Sequence, residues 1–384
     1  MSDQPLRFEK QRAEDARWRA RVRRRLLDWF AEHQRDLPWR QHRDPYMIWI
    51  SEIMLQQTQV ATVIPYFNRF AKRFPDVQSL ADVEEAELLR MWEGLGYYRR
   101  ARQMHAAAQQ IVQQHGGIFP TSFEEVLALP GIGRYTAGAV LSISQDQRLP
   151  VVEANTQRVY SRWIAMQNPP SQPAAMRRLW EFADQVLPRG EGSGMFNQAA
   201  MELGALICTP RGPKCLMCPV QSDCAARALR LQETIPGKVK KVQYTDQTEV
   251  ALLIRRARDA EGCLLMRQIP EGERWVGMWD FPRYGDAARG GNIEGIKDAL
   301  RLAKQEFGGR MRDEGTRMTI KHAVTRYRIT LHVHHIAVAN RWSPKSPAGD
   351  TLRWVSPLQM NELPLSVSAR KIARSLADDD DPLR

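Results

Sequence analysis

Leu129-Pro-Gly-Ile-Gly-Arg-Tyr-Thr136 joins two helical runs, one closing at Leu129 and one opening at Arg134. Gly131 and Gly133 permit a tight turn, and the backbone N–H groups at the start of the second helix can cradle a phosphate. Upstream, Ser122 and Glu125 have the spacing of a capping box. A Gly-x-Gly alone reads equally as a plain helix-connecting turn. Two features around it favour a phosphate-binding hairpin: the charge of the chain and a cysteine loop further on.

The 384 residues carry a net charge of +12, with 43% hydrophobic and 26% charged residues. That length points to two or three domains of soluble, globular type. The charge suits a polyanionic partner, without separating DNA from RNA or a membrane surface. No stretch has the length of a transmembrane helix, so no membrane role is expected. The N-terminus has no apolar core of the secretory kind, and Glu9, Glu14, Asp15 and Asp28 argue against a transit peptide. An intracellular protein is the plain reading.

Residues 15–230 read mostly as helices: a basic amphipathic segment at 18–30, a helix opened by Asp44-Pro45 and running through Gln59, and others at 134–143 and 156–164. Beyond Cys224 the texture changes to a polar linker with Pro236 and Gly237, then strand-like runs at 248–254, 263–266 and 329–338 around one helix. A helical domain followed by a smaller α+β domain is therefore expected.

Four of the five cysteines, Cys208, Cys215, Cys218 and Cys224, follow the spacing C-x6-C-x2-C-x5-C. Thiolates this close can ligate one metal centre, because a metal lowers their pKa. Structural zinc shows two close pairs, whereas here one pair is flanked by single cysteines. The spacing resembles the iron–sulfur loop of the endonuclease III and MutY glycosylases, and that resemblance selects a 4Fe–4S cluster. Hairpin and cysteine loop together resemble the helix–hairpin–helix glycosylase superfamily over residues 20–230.

Residues 37–59, from Leu37-Pro-Trp-Arg40 to Gln59, look like the MutY signature. On a helix, Glu52 shares a face with Ile48, Trp49 and Leu55. Taken bare, such a Glu reads as cation-paired or snorkelling, or as a carboxyl whose pKa is raised to serve as a general acid. The resemblance implies the acid that protonates adenine N7. The family's second carboxylate is an Asp in Asp-Gly-Asn. Here Val152-Glu153-Ala154-Asn155 stands in that place, and Glu153 reads either as a helix-start carboxylate or as the ionised partner near the sugar. Because Ala154 replaces the Gly, a different backbone path is expected. Tyr135 occupies the position where endonuclease III has its Schiff-base Lys; a phenol cannot form that adduct.

The resemblance further implies Gln57 and Tyr97 as wedges filling the gap of an extruded base, with Thr58 near the opposite base. Trp39, Arg40, Leu55, Gln198 and Met201 would line the adenine pocket, although Leu55 and Met201 also read as core; Gln198 stands where many relatives have Glu. Arg211 and Lys214 can reach phosphates.

Residues 246–376 resemble the Nudix-like domain of the MutY family, notably at Trp275-Val-Gly-Met-Trp-Asp-Phe-Pro282. After its first turn, the helical segment 293–309 keeps only Asp298 and Glu306 as carboxylates, too few for Nudix metal hydrolysis. The family reads 8-oxoguanine through Phe-Ser-His; Val324-Thr325-Arg326 stands there, so Thr325 and Arg326 are the recognition candidates. His332, His334 and His335 read as the solvated face of a strand.

The expected architecture is a helical glycosylase domain over 1–231 (hairpin at 123–143, iron–sulfur loop at 208–224), a linker over 232–247, a Nudix-like recognition domain over 248–376 and an acidic tail over 377–384. The implied activity is monofunctional removal of adenine mispaired with 8-oxoguanine or guanine. Glu52, Glu153, Tyr135 and Asn155 would be catalytic, duplex DNA the partner, and the protein a monomer in the bacterial cytoplasm, at the nucleoid. The alternatives are an endonuclease III-like glycosylase/lyase for oxidised pyrimidines and a lesion-binding protein with impaired catalysis.

Overall fold

The protein is described by a computed structural model covering residues 15–237, 243–258, 261–285, 291, 293–324, 326–345 and 351–379. The chain divides into two units, residues 1–82 with 102–240, and residues 83–101 with 241–384. Sequence reading expected one boundary in the linker. Instead residues 83–101 group with the second unit, where the Arg370 guanidinium donates to both Glu93 carboxylate oxygens at 2.6 and 2.9 Å. Residues 238–242 of the expected linker and 380–384 of the expected tail lie outside the described residues.

The first unit is helical. Helix Ala16–His33 is capped by the Asp15 carboxylate, and its Trp18, Val22, Leu26 and Phe30, spaced four apart, bury one stripe against Trp163, Phe182, Phe196 and Leu203. Fully burying a side chain of this kind contributes roughly 1.5–3 kcal/mol. Helix Pro45–Leu55 starts as expected, with Pro45 in its first turn and Asp44 accepting from the Tyr46 N–H at 2.9 Å. It is buried on nearly every face, as an apolar core helix must be. It ends at Leu55 rather than continuing through Gln59, and Gln57 then takes φ 57°. This helix packs on Arg134–Gln145, which packs on Ser193–Leu206. The Ser122 hydroxyl accepts from the Glu125 N–H at 3.2 Å and caps a short helix, Phe123–Leu127.

The second unit holds a mixed sheet: β1 (Thr245–Arg256), β2 (Leu264–Gln268), β3 (Trp279–Asp280), β4 (Arg283–Tyr284), β5 (Arg312–Val324), β6 (Tyr327–Val338) and β7 (Thr351–Val355). The order is β3-β2-β1-β6-β5, with β4 paired to β1 and β7 to β2. Among the described strands β1 and β6 pair in parallel, Ala251 facing Val333. Central β1 reads as a continuous apolar run because both sheet faces are covered. Helix Ile296–Phe307 covers one through Ala299, Ala303 and Phe307, and helix Val367–Asp379 the other through Ala369, Ile372 and Ala373. Glu306 accepts from the Tyr284 hydroxyl at 2.5 Å, and Asp298 from the Glu294 N–H at 3.0 Å. The β6 histidines do not form a solvated face. His334 is buried, with Nδ1 3.2 Å from the carboxylate of Asp313 on the neighbouring strand β5. No described helix is long and apolar enough to cross a membrane.

Candidate active site

A cavity of about 650 Å³ opens in the helical unit. Helix Pro45–Leu55 brings Glu52 and Leu55 to it, and the following turn brings Gln57 and Thr58. Helix Arg134–Gln145 contributes Tyr135; the start of helix Ala154–Trp163 contributes Glu153 and Asn155. Trp39 and Arg40 come from a short 3-10 turn, and Gln198 and Met201 from helix Ser193–Leu206. Eleven residues singled out in the sequence thus line one cavity.

Glu52 is 4% exposed, and the Tyr135 hydroxyl donates to its Oε2. Burial pushes the Glu52 carboxyl up to about 7, against the opposing pull of the Tyr135 hydrogen bond. Removing a carboxyl from water disfavours its charged form, and here that penalty wins. The Tyr135 phenol is raised well above its ordinary value by burial and by the two neighbouring carboxylates.

Glu153 is the N-cap of its helix, with extended backbone. Its Oε1 accepts from the Thr156 N–H at 2.9 Å, and its Oε2 from the Asn155 N–H at 2.8 Å and the Asn155 amide at 3.3 Å. Ala154 begins the helix and is not among the residues with positive φ. Burial raises Glu153 as well, and the backbone N–H groups of Asn155 and Thr156 offset only part of that.

Sequence reasoning missed three residues here. Glu202, 1% exposed, lies on the cavity wall and accepts from Arg35 Nε at 2.8 Å and Nη2 at 2.7 Å, and from Arg40 Nη1 and Nη2 at 3.2 and 3.0 Å. Burial raises its carboxyl, but the two guanidinium groups outweigh that and hold it at about 2. The only signal in the sequence was its place one turn beyond Gln198 on an otherwise apolar helix. Arg158 was missed as well. It donates to Asn155 Oδ1 and the Gly204 carbonyl, both at 2.8 Å, and to the Cys208 carbonyl at 2.6 Å. A Cβ on Gly204 would lie 2.6 Å from the Asn155 Cβ, so only Gly fits there.

The remaining candidates lie elsewhere. Gly131 has φ 76°, and a Cβ there would meet the Gln103 Cβ at 2.7 Å; Gly133 is the N-cap of Arg134–Gln145 with no side-chain cap. Arg211 and Lys214 are exposed. Tyr97, in the second unit, is 56% exposed with φ 48°. The four cysteines are free, half-buried thiols, and Arg162 Nη1 lies 3.2 Å from Cys208 Sγ. Among the described residues, no three or more His, Cys, Asp or Glu side chains are gathered as a set that can hold a metal ion. Arg326 is exposed, its guanidinium 3.1 Å from the Tyr327 hydroxyl; Thr325 lies outside the described residues.

Residues 50–185 match the HhH-GPD superfamily of base excision DNA repair proteins, and residues 250–375 the NUDIX domain. A solved thermostable thymine-DNA glycosylase is 28% identical, covering 56% of this chain and 98% of its own, with TM-score 0.50. The helical unit is therefore a helix–hairpin–helix glycosylase domain, and the second unit a Nudix-like one. An adenine DNA glycosylase of Buchnera aphidicola is 42% identical over 260 residues, 67% of this chain and 72% of that protein. The rat adenine DNA glycosylase is 40% identical over 273 residues, 68% of this chain and 51% of that protein. The chain belongs to the adenine DNA glycosylase family, and its match spans about half the length of the rat relative.

Proposed function

We propose that the protein excises adenine mispaired with 8-oxoguanine or guanine in duplex DNA, breaking the N-glycosidic bond without cutting the strand. The observation that carries this is the buried Glu52 carboxyl, raised to about 7, in one cavity with a second carboxylate. At neutral pH such a group still holds a proton to give. Glu52 protonates adenine N7; the bond from N9 to C1′ then breaks with its electron pair leaving on the base. Glu153 faces the positive charge developing at the sugar, and water completes the hydrolysis at C1′. Three N–H donors occupy the Glu153 oxygens, and a carboxylate has about four acceptor positions, so one remains for that charge. Asn155 orients Glu153, and Tyr135 tunes Glu52 in place of a lyase amine. Trp39, Arg40, Leu55, Gln198 and Met201 enclose the base.

Gln57 and Tyr97 serve as wedges. Both hold left-handed backbone that non-Gly residues adopt only under constraint, as functional positions do. Thr58 contacts the opposite base. The uncapped amides of the hairpin after Gly131 and Gly133, with Arg211 and Lys214, bind phosphates. Thr325 and Arg326 read 8-oxoguanine from the Nudix-like domain, residues 248–376.

Cys208, Cys215, Cys218 and Cys224 would hold a 4Fe–4S cluster. Burial, with a contribution from the neighbouring sulfurs, pushes Cys218 up to about 12 and Cys224 to about 11. Thiols so hard to ionise together suit a metal centre that supplies the compensating charge. When bound, the cluster ties the loop 208–224 into one rigid element. The protein acts as an intracellular monomer.

A duplex with adenine opposite 8-oxoguanine, assayed for free base and for strand breaks before and after alkali, tests the reading. Released adenine with breaks only after alkali supports it. Breaks without alkali indicate a lyase, and binding without release a lesion-binding protein.

A further inference from the structure

Tyr97 sits at the end of a turn in which Gly94, Gly96 and Tyr97 itself all have positive φ, at 99°, 68° and 48°. Its neighbours Trp92, Leu95 and Tyr98 are buried, while its own ring is 56% exposed. Within the turn the Leu95 N–H donates to the Trp92 carbonyl at 3.1 Å. Beneath it lies Arg100, 9% exposed. The guanidinium lies 5.3 Å from the Trp92 ring centroid and 5.6 Å from that of Tyr97. Its Nη2 donates to the Leu95 and Gly96 carbonyls, both at 3.1 Å, and Trp92 Nε1 donates to the same Gly96 carbonyl at 3.1 Å. The Arg100 backbone N–H donates to the Tyr97 carbonyl at 2.8 Å.

We infer that Arg100 is a positioning residue for Tyr97: its guanidinium clamps the turn and one face of the ring, so that the ring projects ready to enter the base stack. The inference rests on the reading of Tyr97 as a wedge. Two aromatic rings and two carbonyls converge on one buried cation, and only a planar fork can serve the carbonyls and the ring together. Burial pulls the Arg100 pKa down to about 10, which leaves it charged at neutral pH. A wedge held outward before DNA arrives has less ordering to lose on insertion, so pre-organisation of this kind acts on base extrusion rather than on encounter. Arg100 does this without touching DNA.

The test uses the full chain carrying Glu52→Gln, so that excision is blocked, and a duplex with 2-aminopurine in place of the mispaired adenine. Its fluorescence rises when the base leaves the stack. Arg100→Gln should weaken this extrusion equilibrium by roughly tenfold, the size of a desolvated cation–π contact. Arg100→Lys, which keeps the cation but not the fork, should fall between Gln and wild type. In a Tyr97→Ala background Arg100→Gln should add nothing, because its effect passes through the ring. Thermal unfolding of each variant separates this from loss of fold, and Arg100→Lys carries the comparison should Arg100→Gln not fold. Additive losses, or unchanged extrusion in a folded Arg100 variant, overturn the inference and leave the wedge standing. If Tyr97→Ala extrudes the base as well as wild type, the wedge reading falls and this inference with it.

Discussion

Replacing Tyr135 by Phe removes one hydroxyl and leaves the ring, so it isolates the hydrogen bond to Glu52. That bond lowers the Glu52 pKa against the burial that raises it to about 7. A hydrogen bond to a charged group is worth about 1.5–3 kcal/mol, and 1.36 kcal/mol corresponds to one pH unit. Without it, the ionised form of Glu52 loses support and the alkaline midpoint of the rate profile should climb by about one to two pH units. The sign follows from the role: the acid works protonated, so activity is present below its pKa and lost as pH rises through it. The same change makes Glu52 a weaker acid, so the plateau rate should drop, by up to about tenfold on a Brønsted argument. The deficit of the variant should then shrink at alkaline pH, where wild type has already lost its proton. Single-turnover excision measured from pH 5 to 9 reads both effects. A midpoint that stays near 7 or moves down refutes the assignment of Tyr135 as the donor that tunes Glu52.

Glu153→Gln should lower the single-turnover rate by about 10²-fold or more, the scale for losing a preorganised charge partner; a rate equal to wild type would leave Glu153 as a helix cap alone. Glu202→Gln strands Arg35 and Arg40 and should cost roughly 3 kcal/mol in denaturant unfolding, at the low end for a broken buried pair since Arg35 keeps partial solvent. Because the folded carboxyl sits at about 2, the stability it lends is present above the ordinary carboxylate range and lost as pH falls toward 2, so the gap between variant and wild type should close in acid. Gly204→Ala forces a Cβ to 2.6 Å from Asn155 and should cost about 1–3 kcal/mol in thermal unfolding, with slower excision. Protein purified without oxygen should contain iron and sulfide near about four each per chain; stoichiometric zinc would overturn the cluster.

What the sequence disclosed was what local chemistry dictates. Asp44-Pro45 opens a helix because a short acceptor and a fixed φ are what a helix start requires. Gly131 is needed for its φ of 76°, which the tight turn requires. Neither statement needs a distant partner. The features that stayed hidden depend on residues far apart in the chain. Glu202 looks misplaced on an apolar helix until Arg35 and Arg40, some 160 positions earlier, arrive to hold its charge. His334 alternates like a surface residue, yet β5 lays Asp313 beside it. Residues 83–101 carry no signal of their own that Glu93 meets Arg370. Arg158 gives no hint that one guanidinium spans Asn155, Gly204 and Cys208.

Glu153 shows why the local and the distant cannot be separated at the site. Read locally, it is a helix-start carboxylate, and the structure gives it that role in full, with the Asn155 and Thr156 N–H groups on its two oxygens. Read as part of a site, it should face the reacting centre, and it lines the cavity with Glu52. Ala154 enters the helix directly, without positive φ, and the Glu153 carboxylate accepts from the first-turn amides while it lines the cavity. Capping the helix and facing the cavity are then one conformation. The amides that cap the helix are also the groups that work against burial to favour the ionised carboxylate.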